Sequence, residues 1–239
     1  MKKRLAIFLA ISYILNIIGF GGIILLNIPF HEIFSNPSSI ALFVLGTLGP
    51  GILGIILSKS GEKLYKNEFN IIHIVITLIL ILTHFGLYKF MGELGKNIKY
   101  QYILSISISI ILFGIQEIGW YENVFKVYEE EKGLIKSSII VGLFKTLGFL
   151  PLILLPGFII RSDSLAYFAM FLVGTSALSI FLKKFTDSFI YSLLFIGIIY
   201  GIMVNMNFSQ GISMVLIGFI ECIVLYGLQD FIKNKNELK

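Results

Sequence analysis

Ile71-Ile72-His73-Ile74-Val75-Ile76-Thr77-Leu78-Ile79-Leu80-Ile81-Leu82 decides the fold class of this chain. A membrane β-strand would alternate apolar and polar residues over about ten positions. Here only His73 and Thr77 interrupt the apolar residues, and the run continues to Phe90. That supplies the roughly 20 residues a helix needs to cross a bilayer. Seven further runs of this kind lie at Leu5–Asn27, Ser39–Ser58, Tyr102–Tyr121, Ser137–Ile159, Ser164–Leu182, Phe189–Asn207 and Gly211–Phe231. The sequence predicts an all-α polytopic membrane bundle of about eight transmembrane helices, a single integral membrane domain over residues 1–239.

Composition excludes most alternatives. Of the 239 residues 56% are hydrophobic and 14% charged, and the mean hydropathy is +0.91. A soluble domain carries roughly 25% charged residues, so this chain could not cover a water-facing surface. An ordinary cytosolic enzyme and a disordered chain are excluded, as is a nucleic-acid binder despite the net charge of +5. The lone Cys222 excludes an internal disulfide and a cysteine metal cluster. The run after Lys2-Lys3-Arg4 is too long for a signal peptide and no small-x-small cleavage site follows, so it is read as an uncleaved first helix. No internal repeat of the kind that marks many transporters is evident.

Lysine and arginine fix the expected orientation, because they gather in cytoplasmic loops. With a cytoplasmic N-terminus, the inner segments hold Lys2, Lys3, Arg4, Lys59, Lys63, Lys66, Lys126, Lys132, Lys136, Lys183, Lys184, Lys233, Lys235 and Lys239. The outer segments hold Lys89, Lys96, Lys99 and Arg161, and Lys145 lies within a span. This asymmetry predicts a multi-pass cell-membrane protein with both termini in the cytoplasm. The longest connection, about Glu122 to Lys136, contains Glu129-Glu130-Glu131 and reads as a solvated loop or a short interfacial helix.

Ionisable groups inside a span cost about 2.5–3.5 kcal/mol each on insertion scales, so they face the bundle interior and find partners. His73 and His84 are eleven residues apart, about three turns, and can share a helix face. At about 16 Å apart along the axis they are too distant to bind one metal, and each reads as a hydrogen-bonded or snorkelling histidine. His31 falls in an outer loop, so no metal site is expected. Glu117 lies near the inner end of span four beside Gln116, with Trp120 and Tyr121 following where an interfacial helix end would place them. Lys145 is sunk to a comparable depth in span five. A Glu117–Lys145 ion pair would lower the cost of burying both, with Glu221 in span eight as the alternative partner.

Gln116-Glu117-Ile118-Gly119-Trp120-Tyr121 resembles the first signature of the CAAX protease and bacteriocin-processing (CPBP, or Abi) family, usually Glu-Glu-x-x-x-Arg and often Glu-Glu-Ile-Gly-Trp-Arg-Gly. Three more stretches resemble the family in order. Gly49-Pro50-Gly51-Ile52-Leu53-Gly54 is similar to the start of its second helix. Gly142-Leu143-Phe144 through Leu150-Pro151-Leu152 is similar to the segment of its second signature. Asp187-Ser188-Phe189 through Asn205 is similar to the segment of its third, His-x-x-x-Asn. The resemblance covers about residues 49–208 and implies a CAAX-protease-like bundle, in which a glutamate and histidines activate water near the cytoplasmic side for intramembrane peptide cleavage.

The catalytic set it implies is incomplete. The first Glu is Gln116, whose amide takes no proton from water. The Arg is Tyr121, for which Lys145 could supply the missing cation. The two histidines fall at Phe149 and Gly201, and the neighbouring Tyr200 is no base at neutral pH. Glu117 and Asn205 remain as the catalytic candidates, and a carboxylate engaged by a lysine is a poor general base. The expected cavity residues are Gln116, Trp120, Tyr121, Lys145, Phe149, Tyr200 and Glu221.

The first functional reading is therefore a non-proteolytic member of the family. It would bind a lipid, lipopeptide or peptide in a cytoplasm-facing cavity, or work with a second membrane-associated protein. The resemblance implies roles of the bacteriocin-immunity or lipoprotein N-acylation type. A second reading is an active endopeptidase or acyl-transfer enzyme with Glu117 as base and Asn205 or Tyr121 stabilising negative charge. A third is a small proton-coupled transporter using the buried Glu, Lys and His side chains. Cys222, buried beside Glu221, reads as an inert core residue. Membrane lipids are the expected surroundings, and neither a cofactor nor nucleic acid is expected.

Overall fold

A computed structural model of the chain describes residues 2–57, 70–90, 100–156, 165–203 and 212–237. These residues are mostly helical, with short turns between the helices and no strand among them. In chain order they form α1 (Lys2–Leu25), a 3₁₀ turn (Phe30–Ser35), α2 (Pro37–Leu57), α3 (Ile71–Phe90), α4 (Tyr100–Trp120), a π-helical turn (Tyr121–Phe125), α5 (Lys126–Gly148), the short α6 (Leu150–Ile153), α7 (Leu165–Thr186), α8 (Phe189–Met203) and α9 (Ile212–Glu237). Among the described residues, three helices are long and apolar enough to cross a membrane, at Lys3–Leu25, Pro37–Leu57 and Leu165–Thr186. Shorter apolar helices lie at Ile71–Leu87, Phe189–Met203 and Val215–Gln229. Length and composition thus make this an all-helical bundle of membrane-protein type.

The faces of the helices bear this out. On α3, Ile71, Ile72, Val75, Leu78, Ile79 and Leu82 are 46–70% exposed. The opposite face turns Thr77, Leu80 and His84 inward, all buried. Apolar side chains outside and polar ones inside is the pattern hydrocarbon selects, since an exposed apolar face of this extent suits lipid and not water.

Two connections differ in detail from the sequence reading. Of the solvated loop or short interfacial helix expected after α4, the structure shows a helix as far as Lys132. It passes through the π turn and breaks only at Gly133, whose φ of 72° suits a residue without a Cβ. Glu129, in this segment, pairs with Lys184 of α7 at 2.7 Å. The predicted span Ser137–Ile159 is interrupted after Gly148, where Phe149 (φ −88°, ψ 1°) leaves helical geometry before α6. Pro151 explains the break. It has no N–H for the carbonyl of Leu147 four residues back and its ring crowds that carbonyl, so it sits in the first turn of a new helix.

Helices meet where small residues let backbones approach, the means by which bundles in lipid gain packing energy. The α2–α4 contact is the tightest of this kind near the polar groups. A Cβ on Gly54 would overlap the Cα of Gly119, and one on Gly51 would press on Ile115. The aromatic core lies in two parts. Phe20, Phe43, Phe113, Phe149, Phe168 and Tyr200 meet at the end of the bundle away from the N-terminus, and Phe8, Trp120, Tyr121, Phe125 and Phe189 meet at the N-terminal end.

Candidate functional site

α4, α5, α7 and α8 converge on Glu117. The ammonium of Lys145 pairs with its Oε1, and the Ser179 hydroxyl donates to its Oε2 at 2.8 Å. Ser179 in turn shares a hydrogen bond of 2.5 Å with Ser192 of α8. All four side chains are buried. Lys145 is 1% exposed, so its stem does not carry the charge out to an interface. Both carboxylate oxygens are engaged, and the charge of each partner is met by the other, which is the condition for burying either. Chemically the group is a neutralised, hydrogen-bonded anchor joining three helices through Glu117, Lys145 and Ser179.

Gln116, the preceding residue, donates its amide to the backbone carbonyl of Thr47 on α2. Pro50, three residues further along α2, has no N–H to give, so the neighbouring carbonyl of Gly46 lacks its ladder donor. Trp120 is not at an interfacial helix end. It is 1% exposed and meets Phe8 edge-on at 5.2 Å, because the helix continues through the π turn instead of stopping. Its indole nitrogen has no hydrogen-bond partner among the described residues. Tyr121 stacks on Phe125 at 5.0 Å, with the ammonium groups of Lys126 and Lys183 each 5.7 Å from its ring centre.

Glu221 takes a partner other than Lys145. Its Oε1 meets the Nε2 of His84 on α3, and both side chains are buried. His73 of the same helix lies edge-on to Phe185 and Tyr191, each at 5.5 Å. Phe149 packs among Phe20, Phe113 and Phe168. Gly201 faces Ile106 so closely that a Cβ would overlap its backbone. Asn205 lies outside the described residues. No group of three His, Cys, Asp or Glu side chains that could hold a metal occurs among the described residues.

A small cavity lies at the bundle end away from the N-terminus, lined by Phe30, Phe43, Phe113, Phe149, Leu152, Phe168, Tyr200 and Met203. It has room for about one water molecule. Of the expected cavity residues, Phe149 and Tyr200 line it, whereas Gln116, Trp120, Tyr121, Lys145 and Glu221 lie in packed interior elsewhere.

Several polar residues escaped the sequence reading. Ser179, Ser192 and Thr175 carry no charge whose burial would demand a partner. Asn123 fell in the connection read as a solvated loop or short interfacial helix, yet it ties three helices together. It accepts from Arg4 Nε at 2.7 Å and donates to the carbonyls of Gly54 at 3.1 Å and Gly119 at 3.0 Å. Its replacement by alanine removes these three hydrogen bonds, and should lower stability by about 1–3 kcal/mol, read from thermal denaturation in detergent.

Fold and buried groups together define an all-helical bundle of membrane-protein type, with two acid–base pairs sealed inside it. Compared with known proteins, the chain matches no family model and no curated protein.

Proposed function

We propose that this chain is a non-proteolytic membrane protein built on a CPBP-type bundle, one that binds a lipid, lipopeptide or peptide instead of cleaving it. It acts alone or beside a membrane-associated partner, in a role of the bacteriocin-immunity or lipoprotein-modifying type. One observation carries the reading: Glu117, the acid that survives from the family's signature, has both oxygens occupied by Lys145 and Ser179. A general base must be free to accept the proton of an attacking water, and this carboxylate is committed to holding helices together.

The positions where the resemblance implies histidines support the same reading. Phe149 is part of an aromatic stack, and Gly201 sits where α4 leaves no space for an imidazole. The aromatic lining of the cavity suits an acyl chain or an apolar side chain, which would enter by parting the rings. That cavity lies at the end opposite the N-terminus. With a cytoplasmic N-terminus, binding shifts from the expected cytoplasm-facing cavity to the outer half of the bundle.

The test uses the full chain in lipid nanodiscs with a diacylated lipopeptide. The expected result is that the lipopeptide stays intact and is retained by the protein, as seen by native mass spectrometry. Cleavage by the unaltered chain that disappears in Glu117→Gln would overturn the proposal.

A further inference from the structure

His84 and Glu221 belong to neither the Glu117 cluster nor the cavity lining, and their geometry points to a separate chemistry. The Nδ1 of His84 lies 2.8 Å from the carbonyl oxygen of Leu80 one turn earlier, and its Nε2 meets Glu221 Oε1. A carbonyl oxygen only accepts, so Nδ1 carries a hydrogen. One proton then remains for the line between Nε2 and Oε1. It sits on the ring as an imidazolium facing a carboxylate, or on the acid facing a neutral imidazole, and the pair is neutral in both arrangements. When that proton leaves, two acceptors face each other and a bare carboxylate stands in an apolar interior.

The surroundings concentrate the effect on this one proton. Glu221 Oε2 is buried with no hydrogen-bond partner among the described residues. It faces Gly174 of α7, where any Cβ would collide with it. From α8, Phe195 lies edge-on to the His84 ring at 5.2 Å, and Tyr200 is within electrostatic reach of both Glu221 and Glu117. Cys222 neighbours the acid on α9. α7 supplies no charge at Gly174. That oxygen is buried and unsatisfied, a state that suits a carboxyl group taking up a proton more than a permanently charged structural acid.

We propose that His84 and Glu221 form a proton-binding site within the bundle, taking up and releasing one proton per chain between Nε2 and Oε1. This goes beyond the binding role above and does not depend on it. Uptake restores neutrality and draws α3 to α9; release sets the two acceptors against each other and loosens that contact. The proton is the ligand, and the contact between the two helices is what it controls.

The chain has three histidines, His31, His73 and His84, so the site can be watched directly. The full chain, labelled with ¹⁵N-histidine and reconstituted in phosphatidylcholine vesicles, is titrated by solid-state NMR, with His84→Gln assigning the signal. In Glu221→Gln the His84 midpoint should move by about one pH unit or more, the size of effect an adjacent carboxylate exerts, while the His73 signal stays in place. A His84 ring that does not titrate, or one with the same midpoint in Glu221→Gln, overturns the proposal. Should that variant not fold, the infrared carboxyl band of the unaltered protein decides. A Glu band, identified by ¹³C-glutamate labelling, that changes at the His84 midpoint supports the site; one that is invariant there rejects it.

Discussion

Lys145→Met will lower the stability of the folded bundle by about 3–5 kcal/mol, the cost of removing one member of a buried ion pair. Methionine matches the length of the lysine stem, so little packing is lost, and the effect isolates the charge. Glu117 would keep the 2.8 Å hydrogen bond from Ser179 but lose its cation. A carboxylate left in an interior where all its neighbours are buried has no solvent to replace that partner. The double variant Lys145→Met/Glu117→Gln removes both charges while Ser179 can still donate to the amide oxygen. It should recover most of the loss, because replacing a buried pair by neutral groups is often close to neutral or even stabilising. Unfolding in detergent, followed for the two single variants and the double variant, gives the coupling directly. A Lys145→Met protein as stable as the unaltered chain would remove the anchor role from the pair, and with it the reason Glu117 is unfit as a base.

This pair is one of the two that the sequence offers for Lys145, and the contrast with Glu221 shows what the sequence can and cannot decide. Glu117 and Lys145 could be matched because depth along a helix follows from counting residues from its end, at about 1.5 Å each. Both came out at one level. Glu221 was equally deep, but depth says nothing about which helices are neighbours. At that level α9 packs on α7, where Gly174 lies against the acid, and the carboxylate finds its partner in His84 of α3. Eleven-residue spacing placed His73 and His84 on one face of α3, and the structure has Thr77 and Leu80 between them on the same buried stripe. What remained hidden had no hydropathy signature. Trp120 looked interfacial because tryptophan marks helix ends in membranes, yet the π turn carries the helix on and buries the ring. The break at Phe149 was written in Pro151, but an unbroken apolar run masked it.

Gly54→Ala should cost about 3 kcal/mol, at the upper end of the roughly 1–3 kcal/mol typical of overpacking, although it adds a single carbon. The new Cβ would overlap the Cα of Gly119, which is backbone and has no rotamer through which to yield. The only relief is for α2 and α4 to separate, and every contact along that seam then suffers. Asn123 bridges the carbonyls of Gly54 and Gly119, at 3.1 and 3.0 Å, so the same movement pulls on its hydrogen bonds. Gln116, donating to Thr47 across the seam, is strained as well. Because Gln116 adjoins Glu117 on α4, separation would also disturb the alignment of Glu117 with Lys145. The control is Gly86→Ala on the exposed face of α3, where nothing lies within 4 Å of the added carbon. Alanine is the better helix former there, by up to about 1 kcal/mol, so that variant should be neutral or slightly more stable. Equal midpoints for the two variants in the same detergent would mean that the glycines of α2 are not what sets its distance from α4.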